Sequence, residues 1–154
     1  ILLANPYSEV VHRRMKQQPD PVAAWNRVCH EVQTSIRMLR LLKDAGKPVK
    51  LKFYSDLPLV RLAILGEHVW LQSYHTDLEV GTRPEYVFQH DRQEHGLYAL
   101  WYQYFLKQWA NPAIPEYDFD RGELVYRKDS GGETRREPFS ADLEQIPFQL
   151  EACV

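Results

Sequence analysis

One arginine inside an apolar run constrains this chain more than any other feature. Residues 51–74 hold two short apolar segments around a Gly66-Glu67 turn, and Arg61 interrupts the first, Leu59-Val60-Arg61-Leu62-Ala63-Ile64-Leu65. If that segment is a buried strand, its guanidinium needs a partner, because an unpaired buried charge is costly. The partner is either an internal carboxylate, with Asp56, Asp77 and Glu79 at hand, or an anionic ligand. The first serves only the fold, whereas the second makes a site.

The surrounding pattern supplies a scaffold. Residues 1–4 read as a short buried strand, and Asn5-Pro6-Tyr7-Ser8 as a turn whose Ser8 caps a helix over 9–18. Asp20 and Pro21 open a longer helix in which Val22, Trp25, Val28, Cys29, Val32, Ile36, Leu39 and Leu42 recur every three or four residues until Gly46 and Pro48 end it. Strands are expected at 49–54, 59–65, 68–71 and 85–89, with a polar loop over 74–84. A helix over 97–110 is aromatic on several sides, and its Tyr98, Tyr102 and Trp109 stripe is expected to be buried against a sheet. Beyond Pro115 the signal weakens to an exposed hairpin, 124–127 with 134–139, peripheral to the core. This order predicts an α/β layered domain with a sheet of about five mixed strands and flanking helices. A helical crossover lets the first two strands run parallel. The expected division is a core at 1–110 and a C-terminal extension at 111–154.

Charge is uneven along the chain. Residues 1–50 hold nine Lys/Arg against four Asp/Glu, while residues 110–154 hold five against ten, within a formal net charge of −2. Solvated helix faces account for this, and an anion-binding N-terminal face is the functional counterpart. The two cysteines, Cys29 and Cys153, form neither a disulfide framework nor a zinc site and fit a reducing cytoplasm. No apolar run reaches the roughly 18–20 residues of a membrane span. A start at Ile1 reads as a domain of a longer protein.

The element order, with the passage from Val49 through Arg61 to Tyr74, resembles the core of the phospholipase D superfamily over residues 1–110. Aligning the turns puts Leu59 where that family has its nucleophilic His, Arg61 where it has its Lys, and Gly66 where it has its Asp. Only the cationic position is chemically retained. No His in the chain is followed two residues later by Lys, so the covalent phosphohistidine of the family has no nucleophile. Asn5-Pro6-Tyr7-Ser8 and Leu59-Val60-Arg61-Leu62 are similar to segments of divergent phospholipase-D-like domains attached to bacterial regulatory proteins. The resemblance implies a degenerate half of that fold and a possible homodimer that pairs two halves.

A guanidinium without the His suits recognition, since it offers a permanent charge and a planar donor fork matched to phosphate or carboxylate. The expectation is a non-catalytic ligand-sensing or regulatory domain of a larger cytoplasmic protein, working without a cofactor. It would hold a small phosphorylated or anionic ligand through Arg61, with Asn5, Tyr7, Ser8, Ser73, Tyr74 and His75. The alternatives are a phosphodiesterase or nuclease with a relocated nucleophile, His75, and a pure protein-interaction domain. His90-Asp91-Arg92-Gln93-Glu94-His95 has the wrong spacing for a metal and reads as a solvated loop. The basic residues of the first two helices are dispersed, which argues against nucleic-acid binding.

Overall fold

The computed structural model describes residues 1–73, 84–94 and 96–140. The elements in order are β1 (Leu2–Ala4), α1 (Glu9–Lys16), α2 (Pro21–Asp44), β2 (Lys52–Tyr54), β3 (Val60–Leu65), β4 (His68–Ser73), β5 (Glu85–Gln89), α3 (Leu97–Ala110), β6 (Glu116–Asp118), β7 (Glu123–Arg127) and β8 (Glu133–Pro138). They fall into two units, one of Ile1–Leu57 with Pro112–Val154 and one of Pro58–Asn111.

The first unit is a mixed five-stranded sheet in the order β1-β2-β6-β7-β8. As the crossover predicts, β1 and β2 are parallel, with Leu3 beside Phe53; the remaining pairs are antiparallel. Local chemistry starts and stops the helices where expected. Ser8 Oγ accepts the Val11 amide at 3.3 Å, and Asp20 Oδ1 accepts that of Ala23 at 3.0 Å, each satisfying a donor the first helical turn leaves over. At the end of α2, Gly46 takes φ 77°, so that its amide meets the Lys43 carbonyl and the Lys47 amide that of Leu42. This double bond pattern favours glycine, which has no Cβ to clash at positive φ.

Trp25, Cys29, Val32, Ile36 and Leu39 of α2 pack with Val11 and Met15 of α1 onto Phe53, Tyr117, Phe119, Leu124 and Phe139. Phe53 retains no exposed surface and lies 4.5 Å from Phe139 between ring centres. Val22 and Leu42, expected on the buried stripe, are exposed. The 24-residue α2 is about 36 Å long and overshoots the short strands it covers. Its C-terminal end is fastened to the β6–β7 turn by Lys43 on Asp120 at 2.8 Å and by Arg40 donating to the Phe119 carbonyl.

The segment expected to be peripheral therefore supplies the middle and one edge of the main sheet. Tyr117, Phe119, Leu124 and Phe139 are each less than 5% exposed, and β6 takes the place beside β2. The strands at 59–65, 68–73 and 85–89 instead form their own antiparallel sheet, β3-β4-β5. The Gly66-Glu67 turn closes its first hairpin, with Gly66 at φ 58° and Leu65 opposite His68. In this second unit α3 lies against β4 and β5, and Tyr98 donates to the Gly66 carbonyl at 3.0 Å. Val69 and Leu71 are the best-covered apolar side chains of the sheet. Among the described residues no helix is long and apolar enough to cross a membrane.

Candidate functional site

The residues expected to hold an anion belong to both units. Asn5, Tyr7 and Ser8 sit together at the carboxyl end of β1, and the side chains of Asn5 and Ser8 serve their own backbone. Asn5 Oδ1 accepts the Tyr7 amide at 3.0 Å, the Ser8 amide donates to the Asn5 carbonyl at 3.1 Å, and Ser8 Oγ is the α1 cap. This is an Asx turn running into an N-cap, a common use of Asn and Ser between a strand and a helix. The Tyr7 ring stands edge-on to Phe139 at 5.4 Å, and its hydroxyl donates to the Ser140 carbonyl at 3.4 Å. Burial, with a smaller contribution from Cys29, pushes the Tyr7 phenol up to about 12.

Arg61 lies in the other unit and is exposed, which corrects the expectation of a buried charge. Among the described residues β3 pairs only with β4, and its residues alternate: Val60, Leu62 and Ile64 are half-covered, while Arg61, Ala63 and Leu65 face outward. The apolar run is the edge of a small sheet, and the guanidinium needs no internal partner because water reaches it. Among the described residues no ion pair joins it to Asp56 or to any other carboxylate. Ser73 is opposite Val60 at the end of β4. Tyr74, His75, Asp77 and Glu79 lie outside the described residues, as does His95. Among the described residues no group of His, Cys, Asp and Glu could hold a metal.

A charge cluster that sequence reasoning missed occupies the outer part of the main sheet. Arg136 of β8 donates to Asp118 at 2.9 Å, to Glu123 at 3.0 Å and to Glu133 at 2.6 Å, tying three strands together. Its hydrogen bonds hold the Asp118 and Glu133 carboxyls below their ordinary range, and the three carboxylates raise Arg136 in turn. Asp118 also accepts the amides of Asp120 and Arg121 across the β6–β7 turn. A cavity of about 190 Å³ beside it is lined by Lys43, Glu116, Asp118, Arg127 and Arg136 among others. Charges of both signs neutralise one another around it, which suits a brace within the sheet.

The surface least explained by the fold is α3. Leu-Tyr-Ala-Leu-Trp-Tyr-Gln-Tyr-Phe-Leu-Lys-Gln-Trp-Ala contains one charge in fourteen residues, Lys107, and no side chain of the helix is fully buried. Tyr98, Trp101, Phe105 and Trp109 are half-covered; Leu97 is 51%, Leu100 59%, Tyr104 40% and Leu106 38% exposed. Tyr102, expected in the core with Tyr98 and Trp109, also stands outside. Gln103 and Lys107 are the polar positions of its exposed side; a helix otherwise apolar around most of its circumference belongs largely in an interior, yet a three-stranded sheet offers it only one face. Leu59, Leu65, Tyr86 and Val87 add exposed apolar surface on β3, β5 and their flanks. The composition of α3 was a visible signal: it carries six aromatic side chains, of which four are half-covered and two stand outside.

The chain matches no protein-family model, no curated protein and no solved structure.

Proposed function

We propose that the unit of Pro58–Asn111 is a protein-interaction module, which docks through the outer side of α3 onto another polypeptide, and that the five-stranded unit is its scaffold. The observation that supports this most is the exposed, almost uncharged surface of α3. Contiguous apolar patches of this kind mark interaction sites, because isolated exposed apolar residues are ordinary but a helix-long surface is not. Trp and Tyr suit the task, giving large contact area at little conformational cost.

A photoreactive residue at position 100 of the full chain tests the proposal, with position 13 on the charged side of α1 as control. On irradiation in expressing cells, position 100 is expected to give a discrete adduct whose polypeptide is identified by mass spectrometry, and position 13 none. Absence of any polypeptide adduct at position 100, or the same pattern at both positions, overturns it.

A second reading, recognition of a small phosphorylated or anionic ligand by Arg61, is favoured by a guanidinium that is exposed and outside any ion pair among the described residues. Calorimetric titration with nucleotides and inorganic phosphate, with Arg61→Ala as control, tests it. Heat that disappears in the variant supports the reading, and equal heats in both chains remove it.

A further inference from the structure

Resting on the second reading, we infer that the ligand of Arg61 is a nucleoside monophosphate, with its phosphate on Arg61 and its base stacked on Trp70. Side-chain alternation gives the β3-β4-β5 sheet two unlike faces. Val60, Leu62, Ile64, Val69, Leu71 and Phe88 share the better-covered one. Strand register sets Arg61, Gln72 and Glu85 in one row across the opposite face, and Ala63, Trp70 and Val87 in the next. The edge-strand members of both rows, Arg61, Ala63, Glu85 and Val87, are exposed, and Trp70 is half-covered between its two neighbours.

An indole in the middle of this face presents a large planar surface, and Ala63 is too small to cover it from the β3 side. A flat aromatic ring is the group that covers such a surface best. The His68 ring, 5.7 Å from that of Trp70 between centres, extends the aromatic surface along β4. Arg61 stands diagonal to Trp70 across the β3–β4 pair, a backbone spacing of about 7–8 Å, which suits the separation of phosphate from base in a nucleoside monophosphate. Among the described residues Arg61 enters no ion pair, so its planar donor fork is open to a phosphate. Glu85 is two strands away, about 10 Å, far enough for salt to screen most of its repulsion of that phosphate. One arginine and one carboxylate do not make a surface for a polyanion, which needs several cations. The charge pattern thus favours a mononucleotide over a nucleic-acid strand.

Calorimetric titration of the full chain with AMP, ribose 5-phosphate and inorganic phosphate tests the inference, with circular dichroism confirming that each variant is folded. The wild type is expected to bind AMP about tenfold more tightly than ribose 5-phosphate, the gain of one base–aromatic stack. Trp70→Leu should bring AMP down to the affinity of ribose 5-phosphate and leave ribose 5-phosphate itself unchanged. Trp70→Phe keeps a ring and should retain a preference for AMP, and Arg61→Ala should remove the binding of both. Equal affinity of the wild type for AMP and ribose 5-phosphate overturns the inference, as does a preference for AMP that survives Trp70→Leu. If Arg61→Ala still abolishes the binding in those cases, the anion reading stands and only the stacked base falls. No heat with any of the three ligands, or heat untouched by Arg61→Ala, removes both.

Discussion

In the unit of Ile1–Leu57 and Pro112–Val154, two helices share one face of a five-stranded sheet, and Trp25, Phe53 and Tyr117 keep almost none of their solvent. In Pro58–Asn111 a single helix meets three strands, Val69 is the only apolar side chain among the described residues of that unit to be covered completely, and α3 leaves Leu97, Leu100, Tyr104 and Leu106 exposed. Both units contain aromatic side chains, so the difference lies in how many faces each element must hide. α2 buries one stripe, and where it leaves Met38, Leu41 and Leu42 outside they alternate with Arg37, Arg40 and Lys43. On α3 only Gln103 and Lys107 interrupt the exposed apolar residues in this way. The first unit covers most of its apolar surface by folding, and the second leaves part of its own exposed.

The largest loss of stability is expected at Phe53. Phe53→Ala leaves a cavity among Tyr117, Phe139 and α2, and should cost about 3–5 kcal/mol, read as a lower midpoint in urea denaturation. A loss near zero would mean that the first unit is not closed.

Arg136→Met comes next. At neutral pH the variant should denature more readily, because Asp118, Glu123 and Glu133 then face one another without their cation. Arg136 holds the Asp118 and Glu133 carboxyls below their ordinary values of 3.8 and 4.5. In the wild type their contribution is therefore present above that range and is lost as the pH falls through the lowered folded values. The gap between wild type and variant should close below about pH 4. A gap independent of pH would assign Arg136 to packing alone.

Ser8→Ala is expected to cost about 1 kcal/mol through the lost α1 cap while leaving the heat of phosphate or nucleotide titration unchanged. A change in that heat without a change in stability would move Ser8 from the fold to a site.

Where the fold was legible in the sequence, local chemistry decides it. Ser8, Asp20 and Gly46 mark helix ends by hydrogen bonds formed within a few residues, and a crossover containing α2 leaves β1 and β2 parallel. The strands β6, β7 and β8 were not legible as core because Tyr117, Phe119 and Leu124 stand beside charged residues and Phe139 is a lone apolar residue after a mostly charged strand. Those charges, Asp118, Glu123 and Arg136 among them, belong to the opposite face and satisfy one another across strands, a pairing that no spacing along the chain reveals. Arg61 was misread for the converse reason: an apolar run looks the same whether the sheet buries it or leaves it at an edge. Asn5 and Ser8 have the right groups for a ligand, and only the structure shows those groups already used by the turn and the helix they begin.

The smallest expected effect is at Leu100. Leu100→Gln replaces an outward side chain of α3 by one of similar helix propensity, measured by urea denaturation at submicromolar protein, where association contributes little. If the outer face of α3 is kept for a partner, the stability of the chain should change by no more than about 0.5 kcal/mol. A loss of about 2 kcal/mol or more, the scale of a core Leu, would show that Leu100 serves the fold of its own chain and that the outer face of α3 is not kept for a partner.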